Sequence, residues 1–141
     1  MIEQDIKPDN LFLSESGVIK LGDFGLAVQL EHSCSKRSTQ CGTSWYIAPE
    51  RYRGGTEMKS DVWSLGITLI ELAEGKNPFA EKESSAEIMC AVLMDQPPSL
   101  SSSKWSPEFV DFVNKCLVKD VKERWSVGEL MEVSVVWESD E

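Results

Sequence analysis

From Ser60 to Glu74 the chain reads SDVWSLGITLIELAE, and its apolar residues, Val62, Trp63, Leu65, Ile67, Leu69, Ile70 and Leu72, are spread around nearly the whole circumference of a helix. A helix that is apolar on almost every side is stable only when other elements wrap it. Gly75 follows at once and Asn77-Pro78 shortly after, a glycine stop beyond which a helix does not continue. The chain is therefore expected to fold around a buried central helix. The longest apolar stretch, Val62 to Ala73, is interrupted by Ser64, Thr68 and Glu71 and is too short to span a bilayer.

The flanking segments predict the layers. Leu11-Phe12-Leu13 and Val18-Ile19-Lys20-Leu21 flank Ser14-Glu15-Ser16-Gly17, the grammar of a hairpin, and Leu11, Phe12 and Leu13 are expected to be its core. After the central helix, Ser84 and Glu87 predict a capping box for a helix carrying Ile88, Met89, Val92 and Leu93, ended by Pro97-Pro98. Ser106-Pro107 predicts an N-cap with Pro at the first helical position, followed by Phe109, Phe112, Val113, Cys116 and Leu117 on one face. Ser126 and Glu129 predict a second capping box before Leu130 and Met131. The expected fold class is α+β and mainly helical: a small β-hairpin plus a helical bundle.

With 141 residues and 41% apolar content the chain is one domain long. Its 24 acidic and 14 basic side chains leave a net charge of −10, which disfavours nucleic acid and acidic membranes as partners. Cys34, Cys41, Cys90 and Cys116 form no CxxC pair, and His32 is the only histidine, so neither a zinc site nor a disulfide framework is expected. The N-terminal MIEQDIKP is polar, unlike a signal sequence. Together these features point to a reducing, cytoplasmic setting.

Chemistry enters through three ordered strings: DIKPDN at Asp5 to Asn10, DFG at Asp23 to Gly25 after the hairpin, and APE at Ala48 to Glu50 after a long Ser/Thr-rich loop. The four residues Asp, Lys, Pro and Asn at this spacing arise by chance about once in 10⁵ start positions. Singly, each string has a simpler reading: Asp5 and Asn10 are turn formers around Pro8, and Asp23 caps a turn made by Gly22 and Gly25. In this order and combination the sequence resembles the C-terminal lobe of eukaryotic serine/threonine protein kinases. GTSWYIAPERY and FVDFVNKCLVKD are similar to the MAP kinase kinase and sterile-type members.

The resemblance implies an ATP- and Mg²⁺-dependent phosphoryl transfer to Ser or Thr of a protein substrate. It implies that Asp5 is the catalytic carboxylate that takes the hydroxyl proton, that Lys7 neutralises charge on the phosphoryl group, and that Asn10 and Asp23 ligate Mg²⁺. Phe12 would lie at the floor of the adenine site, and Phe24 and Gly25 would set the orientation of Asp23. Residues 1–25 would hold the catalytic loop and metal-binding hairpin, 26–50 the activation segment, 51–134 a helical subdomain and 135–141 an acidic tail. Within the activation segment Ser35, Ser38 and Thr39 are candidate phosphosites for an upstream kinase, against the simpler reading of a solvated polar loop. Thr43 would be structural, Glu50 and Arg124 would pair as carboxylate and guanidinium, and Asp61 would bond the catalytic-loop backbone or, more simply, favour a helix start.

Three features depart from the family pattern. Glu3-Gln4 stand where the family carries His-Arg, which removes a phosphate-pairing cation. VSVVW at Val133 to Trp137 replaces a His-Pro-aromatic segment and would make a sticky tail. The chain has no G-x-G-x-x-G, so the N-lobe that carries the glycine loop is expected to be absent, along with the lysine that grips the phosphates. Such a chain is expected to be a poor enzyme alone, and the competing expectation is a non-catalytic docking module that competes with a full-length kinase.

Overall fold

The computed structural model describes residues 6–22, 44–55 and 57–133. Asp5, Asp23, Phe24, Gly25, Ser35, Ser38, Thr39 and Thr43 lie outside the described residues, as does the segment from Ser134 onward. Pro8–Asn10 form one 3₁₀ turn, which Pro8 favours because its fixed φ suits the first helical position. The chain then extends into β1 (Leu11–Leu13), turns at Gly17 with φ 78°, and returns as β2 (Ile19–Leu21). The strands are antiparallel, with Leu11 opposite Leu21, Phe12 opposite Lys20 and Leu13 opposite Ile19.

Five helices follow among the described residues: α1 (Pro49–Tyr52), α2 (Lys59–Glu74), α3 (Ser85–Met94), α4 (Pro107–Cys116) and α5 (Val127–Met131). α2 is the axis, with Val62, Trp63, Ile67 and Ile70 all at most 3% exposed. It ends as its sequence requires, at Gly75 in the left-handed region with φ 70°. α4 packs across α2 at Gly66, where a Cβ would sit 2.8 Å from the Leu117 side chain and 2.9 Å from Cys116 Cβ. Only glycine permits that approach. Ile88 and Val92 of α3, Phe109 and Val113 of α4, and Leu130 of α5 complete the core.

The serine caps form at Ser84, Ser106 and Ser126, whose side chains accept from the backbone N–H of Glu87, Phe109 and Glu129. The full reciprocal box exists at Ser126 and Glu129. At Ser84 the return bond goes elsewhere: Glu87 Oε2 accepts from the Glu83 N–H, one residue before the expected donor.

The expectation that Leu11, Phe12 and Leu13 form a core is corrected by the structure. Leu11 is half-buried, whereas Phe12 is 58% and Leu13 73% exposed, and Val18 and Ile19 on the opposing side of the turn are exposed too. A two-stranded sheet buries only the side chains that a third layer covers. Among the described residues no third layer lies over this hairpin.

Candidate active site

The hairpin brings the two ends of the 10–22 segment together. Asn10 is 8% exposed, and its backbone carbonyl accepts the Gly22 N–H at 2.8 Å. The Asn10 N–H in turn donates to the Lys7 carbonyl at 3.0 Å, which closes the 3₁₀ turn and fixes the half-buried Lys7 beside it. Gly22 adjoins position 23 in the chain, an aspartate, so the backbone bond holds the main chain of Asn10 against the chain neighbour of a carboxylate-bearing residue. Phe12 lies over Gly22, where any Cβ would collide with its ring.

A second constellation runs along α2. Apart from Lys59, Asp61 and Glu74 in its end turns, the polar residues of the helix are Ser60, Ser64, Thr68 and Glu71, whose spacing of four, four and three residues puts them on one face. Each of them reaches a neighbouring segment. Ser60 Oγ donates to Glu50 Oε1 at 2.7 Å, and Ser64 Oγ to the Tyr46 carbonyl at 2.7 Å. Thr68 Oγ1 lies 3.4 Å from the Ile6 carbonyl, and Glu71 Oε2 accepts from the Tyr46 hydroxyl at 2.6 Å and from Asn77 Nδ2 at 2.7 Å. The segment at 46–50 and the segment leading into Lys7 are thus referenced to one rigid helix. Burial, reinforced by the bond to Glu71, pushes the Tyr46 phenol well above its ordinary range, so it stays a donor.

Glu50 is held from α5's side of the molecule as well. Arg124 Nη1 and Nη2 donate to its two carboxylate oxygens at 2.7 and 2.8 Å, a bidentate fork whose arginine is completely buried and whose glutamate side chain is 12% exposed. The remaining Arg124 donors go to the carbonyls of Val118 and Lys59, and its guanidinium lies 5.3 Å from the Trp63 ring centroid. Burial raises the Glu50 pKa, but the bonds from Arg124 and Ser60 outweigh it and hold the carboxyl below its ordinary range. Asp61 is half-buried in the first turn of α2.

Among the residues expected to act, the structure therefore places Lys7 and Asn10 together, sets Phe12 over Gly22, and pairs Glu50 with Arg124. Tyr46, Ser64, Glu71 and Asn77 were not singled out by sequence reasoning. The signal was present in the polar stripe of an otherwise apolar helix, which is how a buried helix marks the side where it binds polar backbone.

This arrangement, a 3₁₀ turn and hairpin in front of a buried helix that holds a carboxylate–guanidinium fork, falls within a known class: residues 1–136 match the model of the protein kinase domain, and the chain belongs to that family. It is 42% identical over 132 residues to the serine/threonine-protein kinase hippo of Drosophila melanogaster, covering 93% of this chain and 20% of that protein. It is also 42% identical over 133 residues to the serine/threonine-protein kinase pakH of Dictyostelium discoideum, covering 94% and 26%. To mitogen-activated protein kinase kinase 1 of Arabidopsis thaliana it is 38% identical over 139 residues, covering 94% and 39%. The chain spans between a fifth and two fifths of the length of these relatives.

Proposed function

We propose that the chain is the C-terminal-lobe portion of a serine/threonine protein kinase of the sterile-type and MAP kinase kinase kind, acting on Ser or Thr of a protein substrate. The observation that carries the reading is the Gly22-to-Asn10 backbone bond, which ties the main chain of an amide-bearing residue to the chain neighbour of a carboxylate-bearing one in a protein kinase domain. The donor set fits Mg²⁺, a hard cation that takes oxygen ligands and uses one or two protein groups plus substrate phosphates instead of an all-protein cage.

In this reading Asn10 offers its amide oxygen and Asp23 its carboxylate to the metal, which when bound neutralises charge on the ATP phosphates. Asp5 orients the acceptor hydroxyl and takes its proton, and Lys7 supplies positive charge beside the transferring group. Phe12 offers an apolar surface to the adenine. The 46–50 segment, held by Ser64, Glu71 and Arg124, forms the platform on which the substrate lies. Ser35, Ser38 and Thr39 are the positions at which an upstream kinase would act, and the setting is cytoplasmic.

A second reading, a docking module without turnover, is favoured by the exposed Phe12, Leu13, Val18 and Ile19, an apolar surface that another polypeptide would cover. Calorimetric titration of the chain with ATP and Mg²⁺, with Asp23→Ala as control, separates the two. The first reading expects binding that the substitution abolishes; a folded chain that binds nothing supports the second.

A further inference from the structure

The chain has six prolines, and Pro107 alone follows a hydroxyl residue; the others come after Lys7, Ala48, Asn77, Gln96 and Pro97. A proline carries no backbone N–H and biases the residue before it toward extended backbone. Ser106 has that conformation, with φ −61° and ψ 148°, while serving as the N-cap of α4. It ends the segment between α3 and α4, which carries no helix or strand from Asp95 onward. Lys104, Ser106, Pro107 and Glu108 are all exposed. Trp105 turns inward instead, donating its indole N–H to Glu74 Oε1 at 2.9 Å and meeting the Phe109 ring edge-on at 5.7 Å. The hydroxyl and the proline ring are therefore reachable from solvent without uncovering Phe109, the first buried residue of the helix.

We propose that Ser106 is a phosphorylation site for a separate proline-directed serine/threonine kinase, an enzyme that reads a hydroxyl residue followed by proline. An apolar socket that takes the Pro107 ring would leave the N–H of any other residue there unpaired, which is how such an enzyme tells this serine from the rest. Ser106 Oγ attacks the γ-phosphorus of ATP. The new Oγ–P bond replaces the bond to the β,γ-bridging oxygen, ADP leaves, and the hydroxyl proton passes to a base of the modifying enzyme. The product keeps the helix start: a phosphate oxygen takes over from Oγ, which accepts the Phe109 N–H at 3.2 Å, and negative charge is favoured at the first turn of a helix. The site lies in the helical body, far in sequence from Ser35, Ser38 and Thr39, and the proposal holds whether or not this chain itself transfers phosphate.

The test incubates the full chain with ATP, Mg²⁺ and a purified proline-directed kinase, and follows phosphate by intact mass and by fragment spectra. We expect phosphate on Ser106, added at a rate within about tenfold of that for a synthetic peptide running from Leu100 to Val113, because only the cap and an exposed first turn have to open. Pro107→Ala keeps the serine and puts a good helix former in the first turn, and should slow the modification about tenfold or more. Ser106→Ala should remove it, with circular dichroism showing both variants folded. The proposal is overturned by equal rates in wild type and Pro107→Ala, by phosphate on other residues in place of Ser106, or by modification of Ser106 in the peptide alone. Phosphate acquired at Ser106 when the added kinase is left out would overturn it as well, because the chain would then be modifying itself.

Discussion

The hairpin and the helical body are built from the same kinds of side chain and meet opposite fates. Phe12, Leu13, Val18 and Ile19 stand in solvent, whereas Val62, Ile67, Ile88 and Val113 are essentially sealed. Each apolar side chain fully buried contributes about 1.5–3 kcal/mol, so the body carries the stability and the hairpin draws on it. Residue type does not separate the two regions; the number of layers does. α2 is covered by neighbours on every side except near Leu72, and the hairpin has one packed edge, where Leu11, Leu21 and the buried Asn10 meet the rest of the fold.

The sharpest way to break this contrast is to remove the buried fork. Arg124→Ala removes the guanidinium from Glu50, leaving it only the Ser60 hydroxyl, takes the Nε donor from the Val118 carbonyl, and is expected to cost about 3–5 kcal/mol in urea unfolding followed by tryptophan fluorescence. A loss below about 1 kcal/mol would show that apolar packing alone sustains the body. Next in size is Gly66→Ala. Alanine is the better helix former by about 1 kcal/mol, yet its methyl meets Leu117 and Cys116, and the overpacking cost of about 1–3 kcal/mol should win. A stabilised variant would mean that α2 and α4 are free to separate.

Acid titration tests the fork more gently. The Glu50 pKa is lower in the folded chain than its ordinary 4.5, so its contribution is present above that value and is lost as the pH falls through the lower folded one. Wild type should therefore lose stability below about pH 4.5 more steeply than Glu50→Gln, which has nothing to titrate there. Parallel curves would remove Glu50 from the acid response. The smallest effect belongs to the hairpin: Leu13→Ser should change unfolding free energy by no more than about 0.5 kcal/mol while reducing self-association in light scattering. A cost above about 2 kcal/mol would show that the hairpin surface is covered in solution.

The helical body was largely legible because its signals are local. Gly75 stops α2, serines at 84, 106 and 126 start α3, α4 and α5, and the spacing from Phe109 to Leu117 marks the buried face of α4. α1 was missed, since four residues are too few to show a period. The exposure of Phe12 and Leu13 could not be read either: a strand pattern records which residues are able to be buried, and a covering layer is a property of distant sequence. The same holds at the site. Asn10 and Glu50 were visible as parts of motifs, but the bonds from Ser64 and Glu71 to Tyr46 span 18 and 25 positions and depend on how α2 is rotated in the finished fold.

The fork between Glu50 and Arg124 also has a consequence in time. It joins positions 74 apart, and closing a loop that long through two side chains costs entropy that nothing local offsets until the intervening helices have packed. Such a contact is expected to form late in folding and to contribute little to the barrier crossed on the way in, which equal refolding rates of wild type and Arg124→Ala would show. Its strength would then act on the way out, so the fork is expected to work as a latch that lengthens the lifetime of the folded state.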